Sequence, residues 1–282
     1  MLFVVGTPIG NLGDLSKRAI EAINNAHIVF AEDTRTALNL LNSLNIKKTI
    51  KSYYKDNEMK VSKDIIKNLE ENLNVVLISE AGMPCISDPG HILIKEVINL
   101  GIKFEIIQGP TALIHGLIAS GFPTNHFYFY GFLPHKAQEK EKEIESLKHI
   151  KSPIIIYESP YRVKETLTIL LKHFTCPISV TREATKKFEE TVFIKNIEDI
   201  ENMNIKGEFI LVINNDDSSI INNDINKQLN LEINLSNKSM EINKVINELQ
   251  KSDFTDKDIL KILKVLGVKR NEAYELIQNL KN

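Results

Sequence analysis

The chain has 282 residues, 43% of them hydrophobic, which is enough for real cores and suits two or three domains. A formal net charge of −2 and a sequence pI near 6.4 exclude a blanket electrostatic binder of nucleic acid, so any RNA contact needs a local basic patch. Two cysteines, Cys85 and Cys176, make neither a disulfide framework nor a metal-ligand spacing, and no apolar stretch approaches the roughly 20 residues that span a bilayer.

In chain order, Leu2-Phe3-Val4-Val5 reads as a strand that runs at once into the loop Gly6-Thr7-Pro8-Ile9-Gly10-Asn11-Leu12-Gly13-Asp14. Helical spacing follows at Leu15, Ala19 and Ile20. A second apolar run, Ile28-Val29-Phe30-Ala31, leads into Glu32-Asp33-Thr34-Arg35. The third, Val75-Val76-Leu77-Ile78, precedes the Gly/Pro-dense loop Ser79-Glu80-Ala81-Gly82-Met83-Pro84-Cys85-Ile86-Ser87-Asp88-Pro89-Gly90, whose composition lets a ligand approach bare backbone. Phe104-Glu105-Ile106-Ile107 then enters Gln108-Gly109-Pro110, with Thr111 placed to cap a helix carrying Leu113, Ile114, Leu117 and Ile118. Repeated strand–loop–helix passages predict a parallel α/β sheet, whose ligands bind at the carboxyl ends of the strands. There is no G-x-G-x-x-G after a strand and no G-x-x-x-x-G-K-[ST], which argues against classical dinucleotide and nucleoside triphosphate enzymes.

Further strands are predicted at Phe127–Tyr130, Ile154–Tyr157, Ile178–Thr181 and Phe209–Ile213, with a helix after Tyr161-Arg162. The expected organisation is a first domain over 1–120, a second over 121–222, an Asn/Asp/Ser-rich linker from Asn214 to about Ser236, and a helical module over 237–282. In that module helices are expected around Met240–Gln250, Thr255–Leu266 and Asn271–Leu280, with Thr255 as a cap and Gly267-Val268 as a turn. Its Lys257, Lys261, Lys264, Lys269 and Arg270 either contact phosphates or form a solvated face.

VGTPIGNLGD at 5–14, AEDTR at 31–35, SEAGMPCISDPG at 79–90, GPTALIHGLIASGFPT at 109–124, FYGFLPHK at 129–136, YESPYRV at 157–163, REATKKFEE at 182–190 and GEFILVI at 207–213 occur in order along the chain. In this combination the chain resembles the ribosomal RNA small subunit methyltransferase I family of the tetrapyrrole-methylase-like superfamily. AEDTR and the GFLPHK run point to the RNA branch, whereas the loop at 79–90 and GPTA are shared more loosely. The resemblance implies two α/β domains with S-adenosylmethionine in the cleft between them, and a dimer. The implied reaction is methyl transfer to the ribose 2′-hydroxyl of a decoding-site cytidine in 16S ribosomal RNA, as naked RNA or assembled small subunit; the cytoplasm is the setting expected from the cysteine usage and the lack of a bilayer-length apolar stretch.

Matched to the superfamily's binding loops, the cofactor contacts expected are Pro8, Ala81, Gly82, Met83, Ile86, Thr111, Ala112 and Tyr157. The family's usual Asp-Ala-Gly-Thr-Pro is here Glu80-Ala81-Gly82-Met83-Pro84, so a hydroxyl is replaced by a thioether. Because a ribose hydroxyl is a poor nucleophile, a base or an alkoxide-stabilising cation helps. Glu32, Asp33 and Glu158 are the candidate bases and Arg35 the candidate cation. Arg35, Arg162 and Arg182 are candidates for gripping substrate, each with the alternative of a loop-ordering ion pair. Lys136, with Lys140 and Lys142, marks a basic segment that either covers RNA or starts a solvated helix. His115 and His126 are expected to pack, and no metal site is expected. A same-fold methyltransferase of a tetrapyrrole or other small molecule, and a non-enzymatic ribosome-binding protein, are the competing readings.

Overall fold

The computed structural model describes residues 1–215, 249, 254–265 and 277. Met1–Ser219 form one compact unit and Ile220–Asn282 a second.

The first unit opens with β1 (Leu2–Val5), a 3-10 turn at Leu12–Asp14, α1 (Lys17–Asn25), β2 (Ile28–Ala31) and α2 (Thr34–Ser43). It continues through β3 (Thr49–Ser52), α3 (Glu58–Glu70), β4 (Val75–Ile78), α4 (His91–Asn99), β5 (Phe104–Ile107) and α5 (Ala112–Ser120). The five strands form one wholly parallel sheet in the order β3-β2-β4-β1-β5. Both faces are covered, which is why the strands read as unbroken apolar runs. Val5, Val29, Ala31, Val76 and Ile78 pack on one side with Ala19 and Ile23 of α1 and Leu41 of α2. Leu2, Val4, Phe30, Val75 and Leu77 pack on the other with Ile65 of α3 and Leu93 and Val97 of α4.

The second half runs β6 (Tyr128–Phe132), α6 (Ala137–Leu147), β7 (Ile154–Glu158), α7 (Val163–His173), β8 (Ile178–Arg182), β9 (Glu190–Ile194), α8 (Ile197–Asn202) and β10 (Phe209–Ile213). Its sheet has the order β6-β7-β10-β8-β9, with β6 and β7 parallel and the other neighbours antiparallel. One face buries Ile154, Ile156, Ile178, Val180 and Leu211 against Leu167 and Leu170 of α7. The other face, with Ile155, Ile210 and Val212, receives Leu113 and Leu117 of α5, so the helix that leaves the first sheet is seated on the second.

The predicted strands are present, and β3 and β9 are two that the apolar pattern missed. Both are edge strands, paired on one side only, and β3 is the mostly exposed Thr-Ile-Lys-Ser. Thr111 occupies the N-cap position of α5, but its side chain makes no capping bond. The Leu113 N–H donates instead to Tyr157 Oη at 2.9 Å. Lys140 is not part of a loose basic cover: its side chain is wholly buried in α6, and its Nζ donates to Glu165 at 2.9 Å. The burial of its stem under α7 decides this, since the charged run alone looks solvated. Lys136 is exposed and pairs with Glu139 within its own segment.

In the second unit, α9 (Asp256–Val265) is described, with Thr255 Oγ1 donating to Asp258 and Ile259, Ile262 and Leu263 buried. Lys257 and Lys261 are on this helix. The linker beyond Asn215, most of the helices expected at Met240–Gln250 and Asn271–Leu280, the turn at Gly267-Val268, and Lys269 and Arg270 lie outside the described residues, as does the side chain of Lys264.

Candidate active site

Parallel pairing keeps β2, β4 and β1 in step, so Glu32, Ser79 and Gly6 begin their loops along one edge of the sheet. Thr7 and Gly82 exchange backbone hydrogen bonds of 2.8 and 3.1 Å, and the Met83 sulfur accepts from the Gly109 N–H at 3.3 Å. Three loops are thereby tied together. The Gly6 and Gly109 backbones lie so close that a Cβ on Gly6 would stand 2.6 Å from the Gly109 Cα. The sequence difference at Met83 therefore has a structural use: the thioether is buried against the β5 loop.

Between these loops and the second sheet lies a cavity of about 370 Å³. Its floor is Glu80, Ala81, Gly82 and Met83, and its side is Ile86, Ser87 and Asp88. Thr111 and Ala112 enter from the start of α5, and Phe132, Tyr157 and Ile210 from the second sheet. Glu32 and Ile9 complete the wall. Burial pushes the Tyr157 phenol up to about 12, and its ring is braced edge-on by Phe129 and Phe132 at 5.0 and 5.6 Å.

The loop that forms this side is conformationally demanding. Gly82, Cys85, Ser87 and Gly90 have φ of 84°, 72°, 66° and 142°, and non-glycine residues there cost about 1–3 kcal/mol each unless the surroundings hold them. Glu58, buried at the start of α3, supplies such a hold. Its Oε1 accepts from Gly90 N–H at 2.8 Å, Ile92 N–H at 3.3 Å and Tyr53 O–H at 3.1 Å. Because Gly90 has no side chain to cap α4, this carboxylate from another helix does so.

Five acidic residues line the cavity, and three of them, Glu32, Glu80 and Asp88, come from the first-sheet loops. Burial, then the nearby Glu32, raise Asp88 to about 7, although a hydrogen bond from Ser79 works against the shift. Glu32 is also raised, by burial first and then by Glu80. Burial and neighbouring negative charge both favour the protonated form of Glu32 and Asp88. Asp88 and Glu80 are absent from the sequence-based candidates, since within Ser87-Asp88-Pro89-Gly90 an Asp-Pro pair reads as turn chemistry.

The other candidates are distributed differently. Asp33 caps α2, accepting from the Arg35 and Thr36 N–H groups, and binds the Arg35 guanidinium at 2.9 Å; these bonds hold it down at about 2. The Arg35 side chain is otherwise exposed. Glu158 lines the cavity, but its carboxylate is buried and accepts from Ser159 N–H at 2.8 Å, Thr166 O–H at 2.7 Å and Arg162 at 3.0 Å. Arg162 also donates to the Leu133 carbonyl, fastening the β6 end to α7. Arg182 pairs across strands with Glu190 at 2.8 Å. Pro8 lines a different, adjoining cavity. His115 lies 3.3 Å from Glu189. Among the described residues no helix is long and apolar enough to cross a membrane.

Two α/β sheets with a cleft at the carboxyl ends of the parallel one define a protein of the tetrapyrrole-methylase class, and residues 1–201 match the profile of the Tetrapyrrole (Corrin/Porphyrin) Methylases. A crystal structure of diphthine synthase shares the fold, with a TM-score of 0.63 at 16% identity over 76% of this chain and 89% of that one. Uroporphyrin-III C-methyl transferase from Thermus thermophilus, complexed with S-adenyl homocysteine, superposes with a TM-score of 0.53 at 15% identity over 75% and 96%. The sequence relatives are more specific. Ribosomal RNA small subunit methyltransferase I of Halalkalibacterium halodurans is 40% identical over 75% of each chain, and that of Bacillus subtilis 40% over 76% of this chain and 74% of its own. The chain belongs to the ribosomal RNA small subunit methyltransferase I family.

Proposed function

We propose that this protein methylates the ribose 2′-hydroxyl of a decoding-site cytidine in 16S ribosomal RNA, as a cytoplasmic homodimer. The family membership supports the substrate, and the acid-rich cleft cavity is the observation that carries the chemistry. S-adenosylmethionine, as the methyl donor of such an enzyme, supplies an electrophilic carbon on a sulfonium.

The residues present fit that donor. Gly82 bares backbone for the amino-acid portion, Ile9, Ile86 and Phe132 give apolar walls, and Glu32, Glu80 and Asp88 complement a cation. Ala81, Met83, Thr111, Ala112 and Tyr157 close the remaining sides, as the resemblance implies for those positions. Pro8 acts by shaping the loop rather than by contact.

Positioning supplies much of the acceleration in such a displacement. Glu32 is the proton acceptor: its raised carboxyl lies in the cavity, while Asp33 and Glu158 are committed to other donors. The methyl passes to the hydroxyl oxygen with cleavage of the sulfur–methyl bond, leaving the donor as a neutral thioether, and the role of Glu32 is to accept the hydroxyl proton. Glu158 is a positioning residue that holds Arg162, and Arg35 and Lys136, both exposed, are the phosphate contacts. Arg182 contributes order to the second sheet.

The test is incubation with tritiated S-adenosylmethionine and small ribosomal subunits lacking the decoding-site ribose methylation, followed by nuclease digestion and mass spectrometry. Label in a 2′-O-methylcytidine of that region is expected. Glu32→Gln is expected to lose about 10²–10⁴-fold in kcat, the usual worth of a general base, with donor affinity little changed. For the parent, kcat/KM rises with pH as Glu32, raised by burial and by Glu80, loses its proton. Donor binding without RNA label, together with transfer to a small molecule, refutes the assignment.

A further inference from the structure

Beside the cofactor cavity is a second, open one of about 300 Å³, lined by the Thr7–Leu12 loop, one side of α2 and the end of β4. Glu80 lines both. The two cavities therefore meet at one residue, Glu80, at the carboxyl ends of β1, β2 and β4, where α/β sheets assemble reacting groups.

The walls limit what the second cavity takes. Pro8, Leu12 and Leu40 present apolar surface, Thr36 and Asn39 present polar edges, and among the described residues no lysine or arginine lines it. Its size lies at the small end of ligand cavities. A polycarboxylate macrocycle finds neither room nor a cation there, and a phosphate meets Glu80 instead of a positive charge. A flat, neutral ring with donors and acceptors on its rim fits. Asn39 offers both a donor pair and an acceptor, and Leu12 and Leu40 give aliphatic surface for the faces. The exposed Arg35 guanidinium, on the same helix, leaves positive charge outside the cavity for a phosphate.

We infer that this second cavity holds the acceptor nucleobase, a single pyrimidine turned out of its RNA stack, with its ribose at the Glu80 wall facing the cofactor cavity. The inference rests on the proposed RNA methylation. A base removed from its stack is read on its rim by a pocket, and the cost of unstacking is smallest in a single-stranded region.

Asn39 is exposed on α2, so its replacement leaves the core untouched. Asn39→Ala and Asn39→Trp are compared with the parent for S-adenosylmethionine affinity by calorimetry and for initial rates against small-subunit concentration, with thermal melting as the folding control. Expected are unchanged melting and donor affinity within twofold. Asn39→Ala raises KM and lowers kcat/KM on the order of tenfold, the worth of one edge contact. Asn39→Trp, which fills the cavity, abolishes transfer. Full transfer by Asn39→Trp overturns the inference and leaves the RNA reading standing. Loss of donor binding in step with transfer also overturns it, by assigning the cavity to the donor. A parent chain that binds donor but methylates no RNA refutes the underlying reading instead, and this inference with it.

Discussion

Glu58 holds the active-site loop from a helix that the cavity never touches, and its removal should be costly. Glu58→Ala leaves the buried Gly90 N–H without its 2.8 Å acceptor and takes the cap from α4. An orphaned buried donor costs about 1–3 kcal/mol and a lost cap about 1 kcal/mol. Tyr53 O–H retains Ser62 at 3.2 Å, so that group adds little. The sum is roughly 3 kcal/mol, or about 6–12 °C in melting temperature for a unit of this size. Glu58→Gln keeps an oxygen acceptor and should lose only about 1 kcal/mol, the difference between charged and neutral hydrogen bonds. Paired denaturant titrations and S-adenosylmethionine calorimetry measure both effects. Donor affinity should fall more for Ala than for Gln, because Cys85 and Ser87 at positive φ relax once Gly90 is released. An alanine variant within 1 kcal/mol of the parent, or a glutamine variant as unstable as the alanine one, would refute the reasoning.

Asp88 tests the acid cluster through stability. Its folded pKa of about 7 exceeds the ordinary 3.8, so the folded state holds the extra proton. Stability from this group is present below about pH 4 and falls as pH rises through 7. Asp88→Asn should flatten that slope and stabilise by about 1–2 kcal/mol at pH 8, after discounting for partial solvent screening. An unchanged slope in pH-dependent unfolding would show that Asp88 is not raised. Gly116→Ala probes the seat of α5 on the second sheet, where a Cβ would stand 2.4 Å from Ile210 Cγ2. Overpacking of about 1–3 kcal/mol should outweigh the roughly 1 kcal/mol helix gain from alanine. In an Ile210→Ala background, which removes that Cγ2, Gly116→Ala should cost less than in the parent; an alanine variant of Gly116 as stable as the parent would contradict the packing.

By itself the sequence determined the elements whose information is local. Runs such as Val75–Ile78 and Ile28–Ala31 identify strands because a sheet covered on both faces needs apolar side chains on both. Gly/Pro loops after them mark where a ligand approaches, and the ordered motifs identify the family. The edge strands Thr49–Ser52 and Glu190–Ile194 escaped because, held by a partner on one side, they carry polar residues that break the apolar run, whereas the edges Phe104–Ile107 and Tyr128–Phe132 stay mostly apolar. Side-chain roles were decided only by tertiary structure. Glu32, Asp33 and Glu158 are chemically alike in one dimension. Folding leaves Glu32 in the cavity, spends Asp33 on a helix cap and gives Glu158 three donors. Glu58 reaches Gly90 across 32 positions, and Asp88 feels Glu32 across a loop, so neither relation is written in spacing. A carboxylate's chemistry depends on which donors and charges surround it, and the chain brings those together only when it folds.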